Sequence, residues 1–169
     1  MDVVWQELGS EMPHPAQLAR IVIRLGWALL LAGVIGFQRE RTHHAAGLRT
    51  HLLVSLGSAL FTLIPLEAGA HVADLTRTVQ GIAAGIGFIG GGVIFKAADQ
   101  RQVHGLTTAA GIWLTAAVGV AAGLGQAGPA LVGIGFTWFI LTTLEPLEKR
   151  WCALHPTDGE TIPAALPPP

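Results

Sequence analysis

Scarcity narrows the class of this sequence before any motif is read. Tyrosine is absent and cysteine occurs once, at Cys152. A lone cysteine excludes an internal disulfide and a cysteine-based zinc site. Charge is thin as well. Of 169 residues, 12% are Asp, Glu, Lys or Arg, against 51% hydrophobic, where a soluble domain carries about 25% charged residues. With a mean hydropathy of +0.53, that deficit puts the chain in the membrane class. The formal net charge is -1, which argues against a nucleic-acid partner, because that partner requires a basic face. Asp2, Glu7 and Glu11 make the leading region acidic, whereas secretory signals start basic. No nucleophile–base pair stands out, so no catalytic residue and no enzymatic activity are expected.

The apolar runs divide into about five spans. The first is read from Leu18 to Phe37, after an extramembrane lead over residues 1–17. Arg20 and Arg24 lie near its start, where long side chains reach the interface by snorkelling. The second runs from Leu48 to Leu66. The third, Gly81 to Phe95, has about 15 residues against the roughly 20 of an upright span. No charged residue occurs from Gly105 to Leu144, and the turn signal Gly123-Leu-Gly-Gln-Ala-Gly-Pro129 splits that stretch. The fourth span is Leu106 to Leu124 and the fifth Pro129 to Leu144. The transmembrane domain is thus 18–144. Residues 145–169 form a short cytoplasmic tail, which ends in Pro167-Pro168-Pro169 and is expected to be disordered.

Basic residues orient the bundle. With the N-terminus outside, Arg39, Arg41, Arg49, Lys96, Arg101, Lys149 and Arg150 fall inside, and Arg20, Arg24 and Arg77 outside. The expectation is an all-α polytopic protein, N-out and C-in, with glycine-rich helix packing.

The stretch Gly36 to His51 holds the densest charge between apolar neighbours. Arg39, Glu40, Arg41, Arg49, Thr50 and His51 form a polar belt at the cytoplasmic face. A positive-inside anchor explains the arginines but not Glu40, which gains from this position only when paired, with Arg49, Lys96 or Arg101. Ionisable groups at the membrane edge are site candidates by default. His43, His44, His51 and His104 fit no metal-ligand spacing and read as loop histidines. No cofactor is expected. Magnesium is the alternative left open, with Glu40 as its candidate ligand, since that ion takes carboxylate oxygens and water. The predicted span interiors hold no carboxylate, which counts against a simple magnesium channel.

The third span is rich in glycine: Gly81, Gly85, Gly87, Gly90, Gly91 and Gly92. Gly85-Ile-Gly-Phe-Ile-Gly90 fits the dinucleotide pattern, but that motif needs a preceding strand and an acid about 20 residues on, and none follows. Small residues four apart let helices approach closely in lipid. The run Gly90–Gly92 could instead break the helix, as in transporters. Thr107 and Thr108 either line a polar path or cap the fourth span.

Three stretches carry a resemblance to a known family. They are Gly36-Phe-Gln-Arg-Glu-Arg41 leading into Ala46-Gly-Leu-Arg-Thr-His-Leu-Leu-Val-Ser-Leu-Gly-Ser-Ala59, then Gln80 to Ile94, then Val103-His-Gly-Leu-Thr-Thr-Ala-Ala-Gly-Ile-Trp113. The chain resembles the MgtC/SapB family of bacterial inner-membrane proteins, in a short form without the C-terminal cytoplasmic domain of some members. The resemblance implies a multi-pass protein of the bacterial inner membrane. It implies a part in magnesium homeostasis or stress adaptation, with links to virulence and to control of the ATP synthase. The expected role is interaction with, or regulation of, membrane partners, including a homo-oligomer and a membrane complex such as the ATP synthase. The alternative is a transporter or channel for magnesium or another ion.

Overall fold

The computed structural model describes residues 14–97 and 105–154, with side chains described for 14–94 and 105–144. Residues 1–13 of the expected lead over 1–17, the tail beyond 154, and Arg101 and His104 lie outside the described residues. Five α-helices follow in order: α1 Pro15–Arg41, α2 Leu48–Glu67, α3 Val72–Ala97, α4 Leu106–Gly123 and α5 Ala127–Leu154. All five are long and apolar enough to cross a membrane. No strand occurs among the described residues.

Local chemistry sets the ends. Pro15 opens α1, where its missing N–H costs nothing. The α1–α2 turn passes through His43 with φ +56°. The Thr42 hydroxyl donates to the Gln38 carbonyl at 3.0 Å, which also accepts the Thr42 N–H at 3.1 Å. Gly105, at φ +89°, precedes α4, and a Cβ there would press on the Val93 carbonyl at 3.2 Å. Glycine therefore lets α3 and α4 meet closely at this turn.

The helices differ from the apolar runs in length. α3 starts at Val72, nine residues before the run that marks it in sequence. Its first turns are polar but helical: Arg77 pairs with Asp74 at 2.9 Å, and Thr76 and Thr78 donate back to carbonyls four residues earlier. The 26 residues of α3 are thus long enough to span, and the shortness expected from the apolar run is corrected. The helix continues without a break through Gly90–Gly92. α5 runs on to Leu154, ten residues into the segment read as tail, and α1 begins within the expected lead.

The bundle is arranged around α4. Half of its apolar window is buried, against 6% for α3. α2 packs most extensively on α4, then on α1. Large apolar side chains point outward, among them Leu30, Phe61, Phe88, Trp113 and Phe136. The interior is built of small and branched residues: Leu31, Ile35, Val118 and Ile134 in one cluster, Ala46, Ile86, Ile112 and Ala116 in another. In lipid there is no gain from hiding leucine, so close backbone packing and internal hydrogen bonds hold helices together instead.

Candidate functional site

Successive crossings bring the end of α1 and the starts of α2 and α4 to one rim of the bundle. At that rim Arg39 points inward and is 2% exposed. The inward residues of α1 are Ala28, Leu31, Ala32, Ile35, Gly36 and Arg39, spaced as one helix face. Arg39 is the last member of that stripe. Its Nη2 donates to the Thr107 carbonyl at 3.4 Å, near the start of α4.

His51 joins it from the first turn of α2. The ring is 1% exposed, and Nδ1 lies 2.8 Å from Thr115 Oγ1. The Thr115 hydroxyl donates to the Gly111 carbonyl at 2.8 Å. With its one proton so used, the hydroxyl must accept from His51 Nδ1–H. In the neutral imidazole, Nε2 is then an acceptor. Nε2 makes no hydrogen bond to a described residue. Gly111 lies beside both groups: a Cβ there would stand in ordinary contact, 3.8 Å from Arg39 Nη2 and 3.8 Å from His51 Cε1. Thr108, near the start of α4, is 5% exposed.

From this corner a polar seam runs along α2 toward the opposite rim. His51, Ser55, Ser58 and Thr62 all face inward. Ser55 donates to the Ala28 carbonyl at 2.9 Å, and Thr62 to Ser58 and Ala59 carbonyls at 3.0 Å. The facing edge of α4 carries Gly111, Thr115, Gly119 and Gly123, four residues apart. A Cβ at Gly119 would collide with the Ser55 carbonyl, and one at Gly123 with Thr62. The seam is therefore closed by direct packing along this stretch. At the far rim, Glu67 lies 3.9 Å from both Arg20 and Arg24 and accepts from Gln17 at 2.9 Å. Arg24 also donates to the Gly123 carbonyl at 3.1 Å.

The residues singled out in sequence separate into distinct environments. Arg39 and His51 come together in the buried corner. Arg41 and Arg49 are exposed, the first lying over the Phe37 ring at 4.3 Å, and Thr50 is half-buried. Glu40 accepts the Leu48 N–H at 2.9 Å and so caps the start of α2. A Cβ on Gly47 would collide with its carboxylate. Among the described side chains the ion pairs join Glu67 to Arg20 and Arg24, and Asp74 to Arg77, and none joins Glu40 to Arg49; the Lys96 side chain and Arg101 lie outside the described residues. Among the described residues, no three of His, Cys, Asp and Glu gather as a metal site. A Cβ on Gly90 would stand 3.5 Å from Ala109 Cβ, whereas one on Gly81, Gly85, Gly87, Gly91 or Gly92 would meet nothing within 4 Å. Thr107 is exposed and Thr108 buried, and the residue at the cap position of α4 is Gly105.

Sequence reasoning passed over Gly111, Thr115, Gly119 and the Arg24–Glu67 contact. The signal for most of them was present: small residues recur every fourth position on α4, the same spacing that drew attention to α3.

Residues 25–150 match the model of the MgtC family. The chain belongs to the MgtC family. It is 40% identical to protein SrpB of Synechococcus elongatus over 157 residues, covering 83% of this chain and 86% of that one. It is 42% identical to protein MgtC of Brucella abortus over 132 residues, 78% of this chain and 54% of the relative. It is 37% identical over 139 residues to YhiD of Escherichia coli K12, provisionally called a magnesium transporter, covering 78% of this chain and 64% of YhiD. The chain thus spans most of SrpB but about half of the Brucella protein. No solved structure matches it. This MgtC-family chain is a multi-pass membrane protein by its five apolar helices and its family.

Proposed function

We propose that this MgtC-family protein serves magnesium-linked homeostasis or stress adaptation in the bacterial inner membrane by binding and regulating other membrane proteins. The observation that supports this reading is the state of α3. Its glycines leave five positions where a Cβ would meet nothing within 4 Å, and its apolar stretch is the least buried of the five helices. A helix so stripped of side-chain bulk invites close approach by another helix. The partner is a second copy or a membrane complex such as the ATP synthase, as the family resemblance suggests. Arg41 and Arg49, exposed at the rim, would supply the cytoplasmic contact.

A second reading, ion transport, draws on the Arg39–His51–Thr115 corner. Arg39 is a buried ionisable group at the membrane edge, and such groups are candidates for functional sites by default; a magnesium-linked name among the relatives points the same way.

One experiment separates the two. A photo-crosslinker at Phe88, 86% exposed on α3, is activated in cells, alone and with Gly87→Leu or Gly91→Leu. Magnesium uptake is followed in liposomes holding the purified protein, with Glu40→Gln alongside. The interaction reading expects a protein adduct that both leucines remove, and uptake equal to that of empty liposomes. Uptake above that level, with no adduct, would replace it with transport.

A further inference from the structure

We infer that the groove between α1 and the α4–α5 turn binds the phosphate headgroup of an anionic glycerophospholipid. The groove has a volume of about 240 Å³ and is lined by Arg20, Arg24, Trp27, Leu31, Gly125 and Ala130, among others. It lies at the rim opposite Arg39 and shares nothing with the buried corner or the open face of α3.

The order of its walls carries the inference. Arg20, Arg24, Trp27 and Leu31 fall on successive turns of one α1 face. With a rise of 1.5 Å per residue, the eleven steps from Arg20 to Leu31 descend about 16 Å into the bundle. The descent runs from guanidinium to indole to aliphatic side chain. A phospholipid has the same profile, from phosphate through glycerol to acyl chain, and tryptophan favours the middle level. Opposite, Ala127 and Ala130 keep the far wall low. Gly125, at φ +76°, lies against the Arg24 guanidinium, where a Cβ would stand 3.1 Å from Nη2.

Charge selects the class of lipid. Arg20 and Arg24 both lie within 3.9 Å of Glu67, so two positive groups face one negative group. Arg24 is tied to Glu67 and the Gly123 carbonyl. Arg20 remains 58% exposed and free to swing onto a phosphate oxygen as a forked donor. The net single positive charge complements a lipid with one net negative charge better than a zwitterion. A free phosphate would match the arginines but leave the indole and aliphatic wall unused, so the lipid is the occupant.

The test uses the full chain in nanodiscs doped with brominated phosphatidylglycerol or brominated phosphatidylcholine at equal mole fraction. Trp27→Phe identifies the part of the tryptophan quenching that belongs to the groove. The expected result is several-fold stronger quenching of Trp27 by the brominated phosphatidylglycerol. That preference should fall to near unity in Arg20→Gln, whose exposed side chain is dispensable for folding, and in Arg24→Gln. Inorganic phosphate at millimolar concentration should not displace the lipid. Equal quenching by both lipids in the wild type, or an unchanged preference in Arg20→Gln, would overturn the inference. Displacement by inorganic phosphate would overturn the lipid as occupant.

Discussion

Glu40 is the residue whose meaning changed most between sequence and structure. As a lone acid among arginines it invites an ion or an ion pair. In the fold its carboxylate takes the Leu48 N–H, one of the donors that a helix start leaves unfilled. This gives a residue-level prediction. Glu40→Ala should destabilise the protein by about 1 kcal/mol, the usual value of a lost cap, while Glu40→Gln, which keeps an acceptor oxygen, should lose less than half of that. Thermal unfolding in detergent reads both, and equal losses would deny the cap. Gly47→Ala should match Glu40→Ala, since the added methyl displaces the same carboxylate. For His51 and Thr115, a double-mutant cycle with His51→Ala and Thr115→Val should give a coupling of about 0.6 kcal/mol, and no more than about 1.7 kcal/mol. No coupling would mean that the 2.8 Å contact contributes nothing.

At the scale of the helix, glycines at like spacing do unlike work. On α4 they admit the backbone of α2; on α3 most face outward. Gly119→Leu should therefore abolish the folded state, because the side chain has only the Ser55 backbone to occupy. Gly91→Leu should stay within about 0.5 kcal/mol of wild type, as surface changes do. Protease resistance and thermal unfolding of the two purified variants check the contrast, and equal behaviour would refute it. The sequence showed which segments cross the membrane, since length and hydropathy depend on nothing else. It did not show which glycine stripe is filled, because that depends on which helices become neighbours, and composition is blind to it. Arg39 is intermediate. Continuing the Ala28–Ile35 stripe by one turn would have pointed it inward, but reading it as part of a loop hid the periodicity. The start of α3 was missed because Asp74 and Arg77 interrupt the apolar run while pairing within a helix.

For the whole molecule, the balance of basic residues argues for N-out and C-in. In a Cys152→Ser background, Ala70→Cys in the α2–α3 turn should react with an impermeant maleimide added outside intact cells, and His43→Cys in the α1–α2 turn should not. The reverse pattern would invert the topology. The partnership of α2 with α4 also has a consequence for biogenesis. Fifty-six residues of chain separate Glu67 from Gly123, so at about 5–20 residues per second α2 is made about 3–11 s before its main partner is complete. Through that interval Ser58, Thr62 and His51 have no α4 to pack against, and only α1 and then α3 can shelter them, as the Ser55 bond to Ala28 begins to do. The nascent chain therefore passes through a stage in which a polar helix edge faces either lipid or the insertion machinery, and its yield rests on how long that machinery holds α2 before release.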